Sequence, residues 1–307
     1  MLPNEQLFSV AAGISFGYVI EMDKETRQAF AATGCAHILS VSGLHFAILY
    51  GALNIIFSFL GNKKRGRIIR QVIILPFLWT FAFFTGMPPA VTRSVIMITI
   101  WGLGNTFFVQ ALTINTLGSA AFFMLLYNPL NLYDIGFQLS FCAVFAILLI
   151  NPYLISLYES RNPALKYLWD LSCTSTSAQI GTAPLSIYYF HQFPLLYLIS
   201  NIFAIPVTGI LMLLIPCSLL ISFAFGNYHE LIFPLQKILE IFINVLNALA
   251  NVPQGVITGI QLTVNDAIIL ALGIVFSFLF MIKKRMIYLS LLIILVAFRV
   301  IYYLCPL

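Results

Sequence analysis

"HILSVSGLHFAIL", residues 37–49, sets two histidines (His37, His45), two serines (Ser40, Ser42) and a glycine (Gly43) inside an apolar chain. What that stretch means depends on its solvent. Of 307 residues, 61% are hydrophobic and 8% charged, where a soluble domain has about 25% charged. Lipid therefore surrounds most of the chain. The fold class expected is all-α: a polytopic helical membrane protein with one compact transmembrane domain. The apolar runs are continuous rather than alternating, which excludes a β-barrel pattern. In hydrocarbon a polar group is costly unless it is paired or wet, so polar residues inside such a segment demand a reason.

Working outward, spans need roughly 20 apolar residues. Candidates fall at about 37–60, 68–86, 89–105, 109–127, 134–151, 168–190, 195–225, 265–282 and 286–304. That predicts about 8–10 membrane segments, broken and amphipathic helices among them. Lys63, Lys64, Arg65, Arg67 and Arg70 follow the first span, Arg161 and Lys166 lie between 151 and 168, and Lys283, Lys284 and Arg285 separate the last two. The positive-inside tendency puts the first two of these loops in the cytoplasm and the N-terminus outside. Residues 229–251 carry a polar stripe, Lys237, Glu240, Asn244, Asn247 and Asn251. Either this helix lies in the interface, with 195–225 broken at Pro206 or Pro216, or it spans with its stripe facing a wet interior. Residues 255–263 read as a short extended loop at the outer surface. The five cysteines, Cys35, Cys142, Cys173, Cys217 and Cys305, read as free, packed thiols. Residues 7–20 lack the basic flank of a signal peptide, and the chain begins abruptly, as though excised from a longer protein.

Intramembrane polar groups are functional candidates. His37 and His45, eight apart, would share part of one helix face and serve as hydrogen-bonding or cavity-lining groups; no acidic partner or zinc spacing accompanies them. Arg93, one turn into a helix opened by Pro88 and Pro89, either faces an aqueous path or snorkels to the outer interface. Asp134 and Gln138 share a face, with Asp134 placed to cap a helix. Thr176, Gln179 and Thr182 belong to a stripe running from Ser172 to Ser186, which suits either a polar lining or interhelical packing; Pro184 interrupts that helix. Asn201 and Thr208 flank Pro206. No nucleophile–base set, metal-ligand spacing or phosphate loop is present, so neither enzyme activity nor a cofactor is expected. The residues alone describe a channel or transporter for a polar or anionic solute, built from broken helices.

Four segments resemble the ComEC family, the inner-membrane DNA channels of bacterial natural competence. "FAATGCAHILSVSGLHFAIL" (30–49) is similar to its G-x-x-H-L-L-x-[IV]-S-G-L-H hallmark, and "GMPPAVTRSVIM" (86–97) to its second segment. "NPLNLYDIGFQLSFCAVFAIL" (128–148) and "SAQIGTAPLSIYYFHQFPLLYLISNIFAIPV" (177–207) resemble the third and fourth. They occur in family order. The resemblance implies a competence transmembrane channel domain that conducts single-stranded DNA into the cytoplasm during natural transformation. It implies as partners an extracytoplasmic DNA receptor and a cytosolic helicase-like motor. The OB-type and metallo-β-lactamase-like domains of the family are not found in these residues, and with no zinc set the chain is not expected to cut DNA. On this reading His37, Ser40, Ser42, Gly43, His45, Arg93, Asp134, Gln138, Thr176, Gln179, Thr182 and Asn201 are the channel-lining candidates. A sparse lining suits a strand that must leave as well as enter. The rival expectation is a transporter or flippase for a small polar or anionic solute.

Overall fold

The structure, a computed structural model, describes residues 5–61, 63–107, 113–225 and 229–304. Residues 109–112, expected to open a span, and Cys305 lie outside the described residues. The helices run in order α1 (Glu5–Phe16), α2 (Lys24–Ala32), α3 (Gly43–Ile56), α4 (Lys64–Phe84), α5 (Pro89–Phe107) and α6 (Thr113–Tyr127). They continue as α7 (Ile135–Ile155), α8 (Pro163–Phe190), α9 (Tyr197–Phe225), α10 (His229–Ala250), α11 (Val264–Lys283) and α12 (Met286–Leu304). A helix satisfies its backbone internally, which is what lipid requires. Six stretches are long and apolar enough to cross a membrane: Gly43–Leu60, α4, α7, Tyr197–Phe223, Phe233–Ala250 and α11. Shorter apolar stretches occupy α5, α6 and α12. The chain is an all-α, multi-pass membrane protein, as its composition predicts.

Contacts divide it into two compact units, Met1–Phe141 with Pro194–Val256, and Cys142–Phe193 with Ile257–Leu307. The first has two apolar clusters. One gathers Leu7, Val10 and Ile14 of α1, Phe30 of α2, Leu211 of α9, and Leu239, Phe242 and Leu246 of α10. The other gathers Phe46 of α3, Ile74, Leu78 and Ala82 of α4, and Val91 and Val95 of α5. The stretch between α2 and α3 joins them: Cys35, Ile38 and Leu39 enter the first cluster, Val41 the second.

In the second unit α8 packs on α11, and α11 on α12. Thr263 and Asp266 form a capping box that starts α11, and Asp266 also pairs with Arg299 of α12. Where α7 passes α8, a Cβ on Gly181 would stand 2.3 Å from Ala146 Cβ and 2.8 Å from the Cys142 carbonyl. Only a glycine permits that approach, a packing device favoured between membrane helices.

Three expectations are corrected. The first span starts at Gly43, not residue 37: Ala36–Ile38 form a single 3₁₀ turn, and Ser42 has extended backbone (φ −121, ψ 177). His37 and His45 consequently share no helix face; His37 is exposed and His45 is 1% exposed. Pro184 and Pro206 do not break their helices. Each proline removes one N–H, whereas a break would strip several backbone groups of partners in hydrocarbon, so the helix continues.

Residues His229–Ala250 form one continuous helix, α10. The Leu195 N–H donates to the Gly255 carbonyl over 2.9 Å, so the connections after α8 and after α10 lie together. Short strands form there, β1 (Gln192–Pro194) and β2 (Val256–Thr258), giving the extended loop expected near 255–263. α9 is one continuous helix, and α10 packs along it and returns the chain to that end. Its apolar face packs on α1, α2 and α9. Lys237, Asn244 and Asn251 of its stripe are exposed, and Lys237 Nζ pairs with Glu240 at 2.7 Å.

Candidate functional site

The loop into α3 is fixed residue by residue. α2 ends where the Thr33 hydroxyl donates to the Ala29 carbonyl at 2.8 Å and the Cys35 N–H reaches back to the Phe30 carbonyl at 2.8 Å. Gly34 between them has φ +74, and a Cβ there would lie 2.9 Å from Tyr197 Cβ and 3.1 Å from Pro194 Cγ. The position therefore accepts glycine for its backbone and for its neighbours. The Cys35 thiol, fully buried, points to Asn201 Oδ1 at 3.7 Å. His37 and Ser40 are exposed and bond locally: His37 Nδ1 lies 3.0 Å from the Gly34 carbonyl, and the Ser40 hydroxyl donates to the His37 carbonyl at 3.3 Å.

Ser42 and His45 start α3. The Ser42 N–H donates to His45 Nδ1 at 3.1 Å, with the Ser42 hydroxyl 3.0 Å from the same nitrogen. His45 thus takes the place that Glu or Gln holds in a capping box. Because Nδ1 accepts, the hydrogen-bond network assigns the ring proton to Nε2, which is buried without a hydrogen-bond partner.

Arg93 meets this helix start. It is 5% exposed. Its Nη1 donates to the Ser140 carbonyl, its Nη2 lies 3.5 Å from Ser94 Oγ, and its Cζ sits 5.9 Å from the Phe141 ring centroid. A Cβ on Gly43 would stand 3.3 Å from Arg93 Nη2 and 3.1 Å from Ser94 Oγ, so the absence of a side chain lets α5 approach α3. Arg93 is buried against α7. The ion pairs among the described residues are Lys237–Glu240 and Arg299–Asp266; no carboxylate faces Arg93. A buried charge is ordinarily paired.

Asp134 caps α7, accepting the Phe137 N–H at 2.8 Å, and Gln138 Nε2 donates to the Leu132 carbonyl at 2.9 Å. Both hold the turn that aims Ser140 and Phe141 at Arg93. Asn201 is 6% exposed. Near it on α9, the buried hydroxyls of Ser200 and Thr208 have no hydrogen-bond partner, like that of Ser15 in α1. Thr176, Gln179 and Thr182 are half-buried and belong to the second unit. There the Thr182 hydroxyl donates to its own helix at the Ala178 carbonyl, 2.9 Å.

Three features escaped the sequence reading. Gln71 of α4 is buried, and its Nε2 donates to Tyr50 Oη at 2.7 Å. Gly66 packs backbone to backbone, since a Cβ there would lie 2.1 Å from the Leu60 carbonyl. Arg299 pairs with Asp266. A lone glutamine and a lone arginine in apolar runs were the available signals for the first and third.

The first three resembled segments therefore converge: Gly43, Arg93 with Ser94, and Ser140 with Phe141. The fourth meets the first through Asn201 and Cys35. Comparison with known proteins agrees. The family described as "Competence protein" matches residues 14–286. ComE operon protein 3 of Bacillus subtilis is 28% identical over 206 residues, covering 67% of this chain and 25% of that protein. An uncharacterized protein of Aquifex aeolicus is 30% identical over 249 residues, 78% of this chain and 55% of its own. Recombination protein 2 of Haemophilus influenzae is 23% identical over 228 residues, 70% and 28%. The chain thus spans between a quarter and about half of the length of these relatives. No solved structure matches it. With four segments in order, a family match over most of its length and an all-helical membrane fold, the chain belongs to the competence protein family.

Proposed function

We propose that this domain conducts single-stranded DNA across the bacterial inner membrane into the cytoplasm during natural transformation. One observation carries the reading. Three distant segments typical of the family meet at one point inside a membrane domain, and that point holds a buried cation without a counter-charge. A strand presents one negative charge per nucleotide, so a conduit needs a few cations and must not have many. The domain moves the strand and makes or breaks no bond in it. An extracytoplasmic receptor would deliver the strand and a helicase-like motor would draw it inward. The N-terminus is then outside.

The test is deletion of the gene in its native host, followed by labelled duplex DNA. Surface-bound label and nuclease-resistant cytosolic label are measured separately. The expected result is normal surface binding with the cytosolic pool lost. Unchanged cytosolic label sinks the proposal and brings forward transport of a small polar or anionic solute.

A further inference from the structure

α10 carries polar groups where lipid would offer them nothing. Its stretch Phe233–Ala250 is long and apolar enough to cross a membrane, and the helix packs along α9. Its apolar side enters the cluster around Phe30. Away from that side run Lys237, Glu240, Asn244, Asn247 and Asn251; the first, third and fifth are exposed and the other two half-buried. The alternating steps of 3 and 4 residues are the repeat of a seam between two helices that coil around each other. Lys237 Nζ and Gln236 Nε2 both donate to Glu240, at 2.7 and 2.8 Å. The side-chain amides of Asn244, Asn247 and Asn251 make no hydrogen bond among the described residues. An unpaired amide in hydrocarbon is costly, and each amide brings both donors and an acceptor.

We infer that α10 crosses the bilayer beside α9 and that its polar stripe is a self-association seam, covered by the same stripe of a second copy of this chain. Two copies inserted in one membrane share one orientation. A twofold axis along the membrane normal therefore sets their α10 helices parallel and in register. Each asparagine then faces its own equivalent, and amide satisfies amide: the N–H of one donates to the carbonyl of the other. At the charged end Lys237 and Glu240 lie about one turn apart. The twofold brings the ammonium of each copy toward the carboxylate of the other, joining two ion pairs into a network of alternating sign. Lipid offers the stripe neither donors nor acceptors, whereas a second copy offers both at the matching repeat. The seam goes beyond the conduction reading and does not depend on it.

The test uses the full chain, cleared of its native cysteines, in membranes of an expressing host, where every copy faces the same way. Asn244→Cys and Asn247→Cys probe the seam. Phe77→Cys of α4 and Ile293→Cys of α12, both exposed, serve as controls. Mild oxidation should give about tenfold more disulfide-linked dimer at the seam than at the controls, because a held seam raises the effective thiol concentration. Without any cysteine, replacing Asn244, Asn247 and Asn251 together by alanine should weaken association of fluorescently labelled copies in vesicles by about tenfold or more. Lys237→Glu alone and Glu240→Lys alone should each weaken it by setting like charges across the axis, and the two together should restore it, which a folding defect would not do. Equal cross-linking at seam and controls would mean random collision and overturn the seam. So would association indifferent to the alanine and charge variants. If Asn244→Cys reacts with an impermeant, water-soluble maleimide as fast as a loop cysteine, the stripe faces water and the seam is overturned. If the seam cysteines cross-link only to a different protein, the stripe belongs to that partner and the proposal fails. None of these outcomes alters the uptake of labelled DNA, so failure of the seam is distinct from failure of the conduction reading.

Discussion

The carbonyl oxygen of Gln71 occupies the space that a Cβ on Gly102 would need: the two would lie 2.7 Å apart. That oxygen is buried without a hydrogen-bond partner, while its amide nitrogen donates to Tyr50 Oη. Gly102→Ala should therefore destabilise by about 1–3 kcal/mol, the usual cost of overpacking. Gln71→Ala should absorb much of that loss, because it removes the obstacle. Thermal unfolding of both single variants and the double variant in detergent checks this. Additive losses would mean the two residues do not compete for space.

His45 is a capping residue in this structure, so its substitutions should sort by capping ability. His45→Ala should cost about 1 kcal/mol. His45→Gln should recover most of that loss, since glutamine at the same position reaches back to the N-cap amide. Melting temperatures of the purified variants decide. If the glutamine variant were as unstable as the alanine variant, the Ser42–His45 link would not be what starts α3.

Asp266 and Arg299 join α11 to α12 with side chains 12% and 15% exposed. Arg299→Met alone should destabilise by about 3 kcal/mol, because it strands a poorly solvated carboxylate. Pairing it with Asp266→Asn should return much of the loss. Asparagine keeps a carbonyl for the cap but carries no charge. Unfolding of the double variant at the level of the single one would show that the pair contributes little.

Burial pushes the Cys35 thiol up to about 12. In the unfolded chain it would ionise near about 8.5, so the folded state holds a proton that the unfolded state releases. Stability should decline as pH rises past that lower value and continue to decline toward the higher one. In the neutral range a single-cysteine variant retaining Cys35 should react with a membrane-permeant maleimide only after denaturation. Rapid native labelling would mean that the loop between α2 and α3 opens.

If each helix from α3 to α12 crosses once, the loops following α3, α7 and α11 fall on one side. These are the loops with Lys63, Arg161 and Lys284, and basic residues place them in the cytoplasm. In a cysteine-free background, Glu159→Cys and Lys283→Cys should resist an impermeant maleimide on spheroplasts. Gln261→Cys should label. The opposite pattern would invert the protein in the membrane.

Composition made the fold class legible, and span positions followed because a bilayer sets helix length. Prolines misled, since breaking a helix in lipid exposes more backbone than the proline itself disturbs. His37 and His45 misled because a helical spacing was read across a segment that is not helical. Arg93 was legible as a lone cation, but its neighbours were not: Ser140 takes part through a carbonyl, and Gly43 through lacking a side chain, features that side-chain chemistry does not display. Gly66 and Gly102 were invisible for the same reason.

The two apolar clusters of the first unit differ in when the ribosome can supply them. The one around Phe46 draws on residues 41–98 and can close soon after α5 is made. The one around Phe30 needs Leu211, Leu239 and Phe242, synthesised far later. During that interval the apolar faces of α1 and α2 wait without their partners. Long-range closure of this kind is slow and leaves sticky surface open to rivals. The Cys35–Val41 stretch, already anchored at its far end by the early cluster, shortens the search by holding α2 beside the place where α9 and α10 will arrive.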